Sequence, residues 1–207
     1  MILDRYIARQ LSNPAGIGGK VIFSIMNRYN RPLYDEAIRL LSLSDAGFKE
    51  SILDIGCGNA YVLNMLAHQY DCTLTGIDIS ASMLEYASKR YHKFTKAGRM
   101  TFSCQSADAM SFADASFDKA YTINTVYFWE NLDTTMSEIW RVLKPGGLFS
   151  NTFISNEKLS QFSHTRFGYR RFTVEELTSA GNNAGFSVNA VPIMNGTAYC
   201  VLYHKMD

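Results

Sequence analysis

From Ser51 onward, short apolar runs alternate with stretches whose apolar residues recur at helical spacing. Ser51–Ile55, Thr73–Ile79, Met100–Cys104, Phe117–Ile123 and Gly147–Ile154 are brief and bounded by polar or turn-forming residues, which predicts strands. Ala60–Gln69, Ser82–Phe94 and Asp133–Leu143 carry the three-to-four-residue period of helices. Strands that alternate with helices are joined by crossovers, so the sheet is expected to be parallel with helices on both faces. After a further helix at Val174–Ala184, Phe186–Pro192 and Ala198–His204 bracket Asn195-Gly196, a dipeptide suited to the left-handed backbone of a tight hairpin. The fold expected is α/β: a doubly wound, mostly parallel seven-stranded sheet ending in an antiparallel β-hairpin, preceded by N-terminal helices.

Residues 1–48 read differently. Pro32 suits a first helical position, and Leu33, Ala37, Leu40 and Leu41 lay one apolar stripe along the helix that follows. Upstream, Asn13-Pro14-Ala15-Gly16-Ile17-Gly18-Gly19 is turn material; it follows no strand and lacks the Lys-Ser/Thr of a phosphate loop. The organisation expected is a helical cap (1–48) on a main unit (49–207), together one structural domain, since 207 residues suit a single core.

Composition narrows the function. Twenty basic against nineteen acidic side chains give a net charge of +1, without the basic excess that neutralises nucleic-acid phosphates. No stretch is apolar enough to cross a bilayer, and the first residues, with an early Asp4, lack the apolar segment of a secretion signal. Cys57, Cys72, Cys104 and Cys200 are as scattered as His68, His92, His164 and His204, so neither a disulfide framework nor a metal site is expected. The expectation is a cytoplasmic protein with a small-molecule partner; the sequence does not set its oligomeric state.

Candidate chemistry sits where the first strand ends. In Ile52-Leu53-Asp54-Ile55-Gly56-Cys57-Gly58-Asn59-Ala60-Tyr61 an apolar strand runs into a Gly-x-Gly turn that opens a helix, and Asp78 closes the next strand. An acid about 20 residues beyond such glycines is placed to accept both hydroxyls of a ribose. Alternatively Asp78 caps the helix that follows; the first reading forecasts loss of ligand affinity on its replacement, the second loss of stability. Tyr61 stands where a dinucleotide fingerprint has its third glycine, which disfavours a nicotinamide. A carboxylate at Asp54 suits a ligand that carries an ammonium and a sulfonium.

These residues, followed by Ser106-Ala107-Asp108-Ala109, Phe117-Asp118 and Val142-Leu143-Lys144-Pro145-Gly146-Gly147, resemble in order and spacing the motif series of class I S-adenosylmethionine (SAM)-dependent methyltransferases. The resemblance covers about residues 50–154, and the hairpin extends it to the end. It implies that Gly56 and Gly58 pass beneath the methionine moiety of SAM, with Asp54 near its amino group. Asp78 would hold the ribose, Ile79 and Met83 the adenine face, and Asp108, beside Ala109, the adenine amino group, while backbone around Asn124 lines the site. Read without the resemblance, Met83, at helical spacing from Tyr86 and Ala87, is an ordinary core residue. The family more often has Gly at position 60. Asp118 reads as a strand-start residue and Lys144–Gly147 as a turn, neither with assigned chemistry.

A sulfonium methyl is already activated, so few catalytic residues are needed; Tyr127, Glu130, Tyr34 and His164 are the candidates for a base, and the methyl carrier leaves as S-adenosylhomocysteine (SAH). Asn124-Thr125-Val126-Tyr127 does not match the motif that related enzymes use on base or glutamine amines, which points to another small-molecule acceptor. Residues 164–172 mix aromatics with three arginines that suit an anionic or planar group, or form a solvated loop. The alternative function is a non-catalytic SAM-binding module that regulates or scaffolds a partner.

Overall fold

The computed structural model describes residues 2–12, 22, 25–43 and 49–207; the glycine-rich segment at 13–19 lies outside them. Seven strands form one sheet: β1 (Ser51–Ile55), β2 (Thr73–Asp78), β3 (Met100–Cys104), β4 (Phe117–Ile123), β5 (Leu143–Ile154), β6 (Phe186–Ile193) and β7 (Ala198–Lys205). Their order is β3-β2-β1-β4-β5-β7-β6, with β1 to β5 parallel and β7 inserted antiparallel between β5 and β6. The winding reverses between β1 and β4, so a crevice opens at the carboxyl ends of those two strands, the place where open α/β sheets bind ligands.

The helices are α1 (Ile2–Ser12), α2 (Arg31–Leu41), α3 (Tyr61–Gln69), α4 (Ala81–Arg90), α5 (His92–Lys96), α6 (Leu132–Val142), α7 (Asn156–Leu159) and α8 (Val174–Asn183), and residues 25–29 are helical ahead of α2. Neighbours on β1 show why central strands read as unbroken apolar runs. Ile52 packs in one core layer with Leu33, Leu41, Leu63 and Leu66, while Leu53 packs in the other with Met136, Ile139 and Leu177. In the second layer Phe149 stacks on Tyr203 at 5.1 Å between centroids. Leu33 and Leu41 of α2 are 1% exposed, so this N-terminal helix is built into the core.

Three local expectations are corrected. Lys144–Gly147 is strand, not a turn: pairing moves from Phe117↔Leu143 to Lys119↔Leu148, five residues on β5 against two on β4, and a bulge absorbs the excess. Lys144 Nζ then reaches Asp118 at 2.8 Å, and Asp118 accepts the Ser51 hydroxyl at 2.6 Å, fastening the end of the sheet opposite the crevice. The helix expected over Ser82–Phe94 breaks at Tyr91 into α4 and α5. The hairpin turn is longer than Asn195-Gly196, since Met194, Asn195 and Gly196 are all left-handed (φ 51°, 56° and 78°).

Candidate functional site

At the end of β1 the chain turns back over β2. Gly56 and Cys57 both donate their backbone N–H to the Ile77 carbonyl, at 2.8 and 2.9 Å. Gly56 has φ +76°, and a Cβ there would lie 2.6 Å from Thr125 Cγ2. Gly56→Ala is therefore expected to cost about 2–3 kcal/mol, part from the left-handed backbone and part from the collision. Adding Thr125→Ser, which deletes that methyl, should restore the collision part in a denaturant melt. A Gly56→Ala protein as stable as wild type would contradict the geometry. Ala60 is also left-handed (φ 58°), the physical reason glycine suits the position; its methyl is fully buried, which offsets the strain.

The two candidate acids are positioned differently. Asp78 is at the cavity, and its two carboxylate oxygens accept the backbone N–H groups of Gly58 and Ser80, both at 2.8 Å. Burial raises its pKa from the ordinary aspartate value, against the pull of these N–H groups. Each oxygen keeps a lone pair for a ligand hydroxyl. Asp54 lies behind the cavity wall, 4% exposed, and accepts the Tyr121 hydroxyl at 2.7 Å. Burial pushes its carboxyl up to about 7; the Tyr121 hydrogen bond opposes this and the nearby Asp78 charge adds to it.

One cavity of about 710 Å³ runs from this turn across the carboxyl ends of the strands, within the size range of small-molecule sites. Gly56, Asp78, Ile79, Asp108 and Asn124 line it, and so do Tyr34, Tyr127, Glu130 and His164. Asp54, Gly58, Met83 and Ala109 do not. Met83 is 1% exposed on the inner face of α4, and the Gly58 backbone is engaged with Asp78. Ile79, by contrast, is 55% exposed beside Asp78, an apolar side chain open at the rim.

The base candidates separate on their surroundings. The Tyr127 hydroxyl accepts the Ile154 N–H at 2.7 Å and faces Asn124 Oδ1 at 3.1 Å, and burial pushes its pKa far above the ordinary phenol value. It is a buttress. The Tyr34 hydroxyl donates to Asn27 Oδ1 at 3.3 Å, and burial pushes it up to about 12, so it stays protonated. His164 is partly buried, and burial holds its imidazole below the ordinary value, with Asp4 opposing. It is therefore neutral near pH 7. Glu130 lies exposed at the rim.

The 164–172 segment is a cavity wall. Tyr169 packs on Tyr127 and Phe128 at 5.3 and 4.7 Å between centroids. Two of its arginines are committed to the protein: Arg170 donates to the Glu130 carbonyl, and Arg171 to the Asn156 carbonyl at 3.0 Å. Sequence reasoning missed Gln105, whose Oε1 accepts from Ser111 N and Oγ at 2.8 and 3.0 Å while its buried Nε2 has no partner. Its place just after β3, at a strand end, was the available signal. It also missed the wall built from Leu11, Ile25, Met26 and Tyr29, for which no local motif exists. Among the described residues no helix is long and apolar enough to cross a membrane, and no cluster of three or more His, Cys, Asp or Glu is suited to a metal.

Residues 53–150 match the methyltransferase domain family, over the same strands and turn that build the cavity. These residues form a methyltransferase domain of the class I SAM-dependent type. The chain is 39% identical over 97 residues to the O-methyltransferase rstn1 of Aspergillus nomiae, covering 47% of this chain and 43% of that one. It thus spans less than half the length of that relative. Among solved structures, the cyclase SpnF superposes with a TM-score of 0.74 at 20% identity, over 84% of this chain and 80% of that one. Geranyl diphosphate C-methyltransferase of Streptomyces coelicolor gives 0.73 at 14% identity, over 96% and 87%. At these identities the structural likeness establishes the fold.

The cavity offers groups that fit SAM: a strand-end carboxylate with free lone pairs, an exposed Ile79 beside it, and the unspent Gln105 amide.

Proposed function

We propose that this methyltransferase binds SAM along Gly56, Asp78, Ile79 and Asp108 and methylates an oxygen of an apolar, planar small molecule. The observation that carries the reading is the continuity of one cavity from the glycine turn to an aromatic wall on which a neutral imidazole opens. SAM supplies a methyl group already activated as an electrophile, so the chain has to orient the acceptor, exclude water and accept one proton. Asp78 holds the ribose and Ile79 packs on the adenine. Phe128, Trp129 and Tyr169 form the platform for a planar acceptor. His164 takes the hydroxyl proton at its unprotonated ring nitrogen, and Tyr127 keeps Asn124 and the β5 end in place. The similarity to O-methyltransferases supports oxygen as the acceptor atom.

The test is incubation of the purified protein with SAM and a panel of phenols and aliphatic alcohols, followed by mass spectrometry. One added methyl on a phenol, with stoichiometric SAH, is expected. A thermal shift with SAH but no turnover of either class would favour a SAM-binding module; no shift with SAM or SAH would remove the cofactor assignment.

A further inference from the structure

A second cavity, of about 360 Å³, lies on the other side of residues 25–31 from the first. Residues 25–29 and the start of α2 separate the two: Met26, Tyr29, Asn30 and Tyr34 face the SAM cavity, and Asn27, Arg28 and Arg31 face the second. The opposite wall comes from the glycine turn and α4, through Asn59, Tyr61, Tyr86, Arg90 and Tyr91.

Its chemistry is one-sided. Among the described residues three guanidinium groups and three phenols line it, and none of those lining it is acidic. Phenol hydroxyls meet the guanidiniums, Tyr61 accepting from Arg31 at 3.3 Å and Tyr86 from Arg90 at 3.2 Å. The Arg90 guanidinium also lies 5.8 Å from the Tyr91 ring centroid. Arg31 is paired with Asp35 at 2.9 Å. Among the described residues neither Arg28 nor Arg90 has a carboxylate within ion-pair distance. Like charges brought around one concavity repel one another unless an anion joins them. Forked guanidiniums fit phosphate oxygens bidentately, and their N–H groups outnumber what one carboxylate accepts.

We propose that this cavity is a second ligand site, separate from that of SAM, and that it takes a compact phosphate-bearing polyanion of about pyrophosphate size. It is wired to the glycine turn. Asn27 Nδ2 donates to Asn59 Oδ1 at 3.3 Å, and Asn27 Oδ1 accepts from Tyr34, a wall residue of the SAM cavity. Asn27 is 8% exposed, so these bonds are shielded from water.

The test is calorimetric titration of the full chain with magnesium-free pyrophosphate, alone and saturated with SAH, using wild type and Arg28→Gln/Arg90→Gln. Both arginines are exposed, so the variant should fold. One pyrophosphate per chain is expected with and without SAH, with affinity at least about tenfold lower in the variant. SAH affinity measured without pyrophosphate should be the same in both proteins. Absence of pyrophosphate binding to wild type at millimolar concentration, or equal binding to the variant, overturns the site. Loss of pyrophosphate binding when SAH is present also overturns it, since the arginines then serve the SAM cavity itself. Because the first titration contains no SAH, failure of the SAM assignment is read separately.

Discussion

Asp78→Ala is expected to lose on the order of 2–4 kcal/mol of SAM affinity and, in the same protein, about 1–2 kcal/mol of folding stability. Sequence reasoning sets ribose binding and helix capping against each other, but a carboxylate has two oxygens and four lone pairs. One pair on each oxygen already holds a backbone N–H, Gly58 in the turn and Ser80 ahead of α4. Removing the carboxylate therefore strands two partly buried donors as well as the ligand's hydroxyls. Calorimetry with SAM and a denaturant melt on Asp78→Ala separate the terms. A destabilised variant that binds SAM as tightly as wild type would confine Asp78 to the turn and retire the ribose assignment.

His164→Asn should lower kcat on a hydroxyl acceptor by roughly 10²- to 10⁴-fold, with SAH affinity little changed. Burial lowers the imidazole pKa from 6.5, so the unprotonated form persists above a midpoint lying below that value. Activity should then be full at neutral pH and fall as pH drops through the lowered midpoint. His164→Asn should abolish that acidic limb, and Tyr127→Phe should keep it while costing stability, because the Tyr127 hydroxyl braces Ile154 and Asn124. An acidic limb that survives in His164→Asn would move the base to another cavity group.

Much of this protein is written locally. The strand, glycine turn and helix from Ile52 to Gln69, and the acid at Asp78, fall within about 27 residues, where backbone sterics and apolar periodicity act without knowledge of the rest of the chain. The parallel strands and the terminal antiparallel pair follow from the same periodicities, because crossovers and hairpins leave different spacings between strands. Where a backbone hydrogen-bond register was at issue the sequence misled: Lys144–Gly147 carries turn residues, yet pairing with β4 draws it into strand through a bulge.

The sequence by itself determined the α/β architecture, the glycine turn and the strand-end acid, because each depends on neighbours a few residues away. Only the tertiary structure decided which groups face a ligand. Asp54 is turned toward Tyr121, 67 residues along the chain, and Met83 is sunk in the core. Arg170 and Arg171 are bound to backbone carbonyls of segments that no motif links to them. The second cavity joins residues 27–31, 59–61 and 86–91, three stretches whose arginines and tyrosines look like ordinary surface residues until the fold sets them around one space. Burial and side-chain direction are set by packing between distant segments, and no local pattern encodes them.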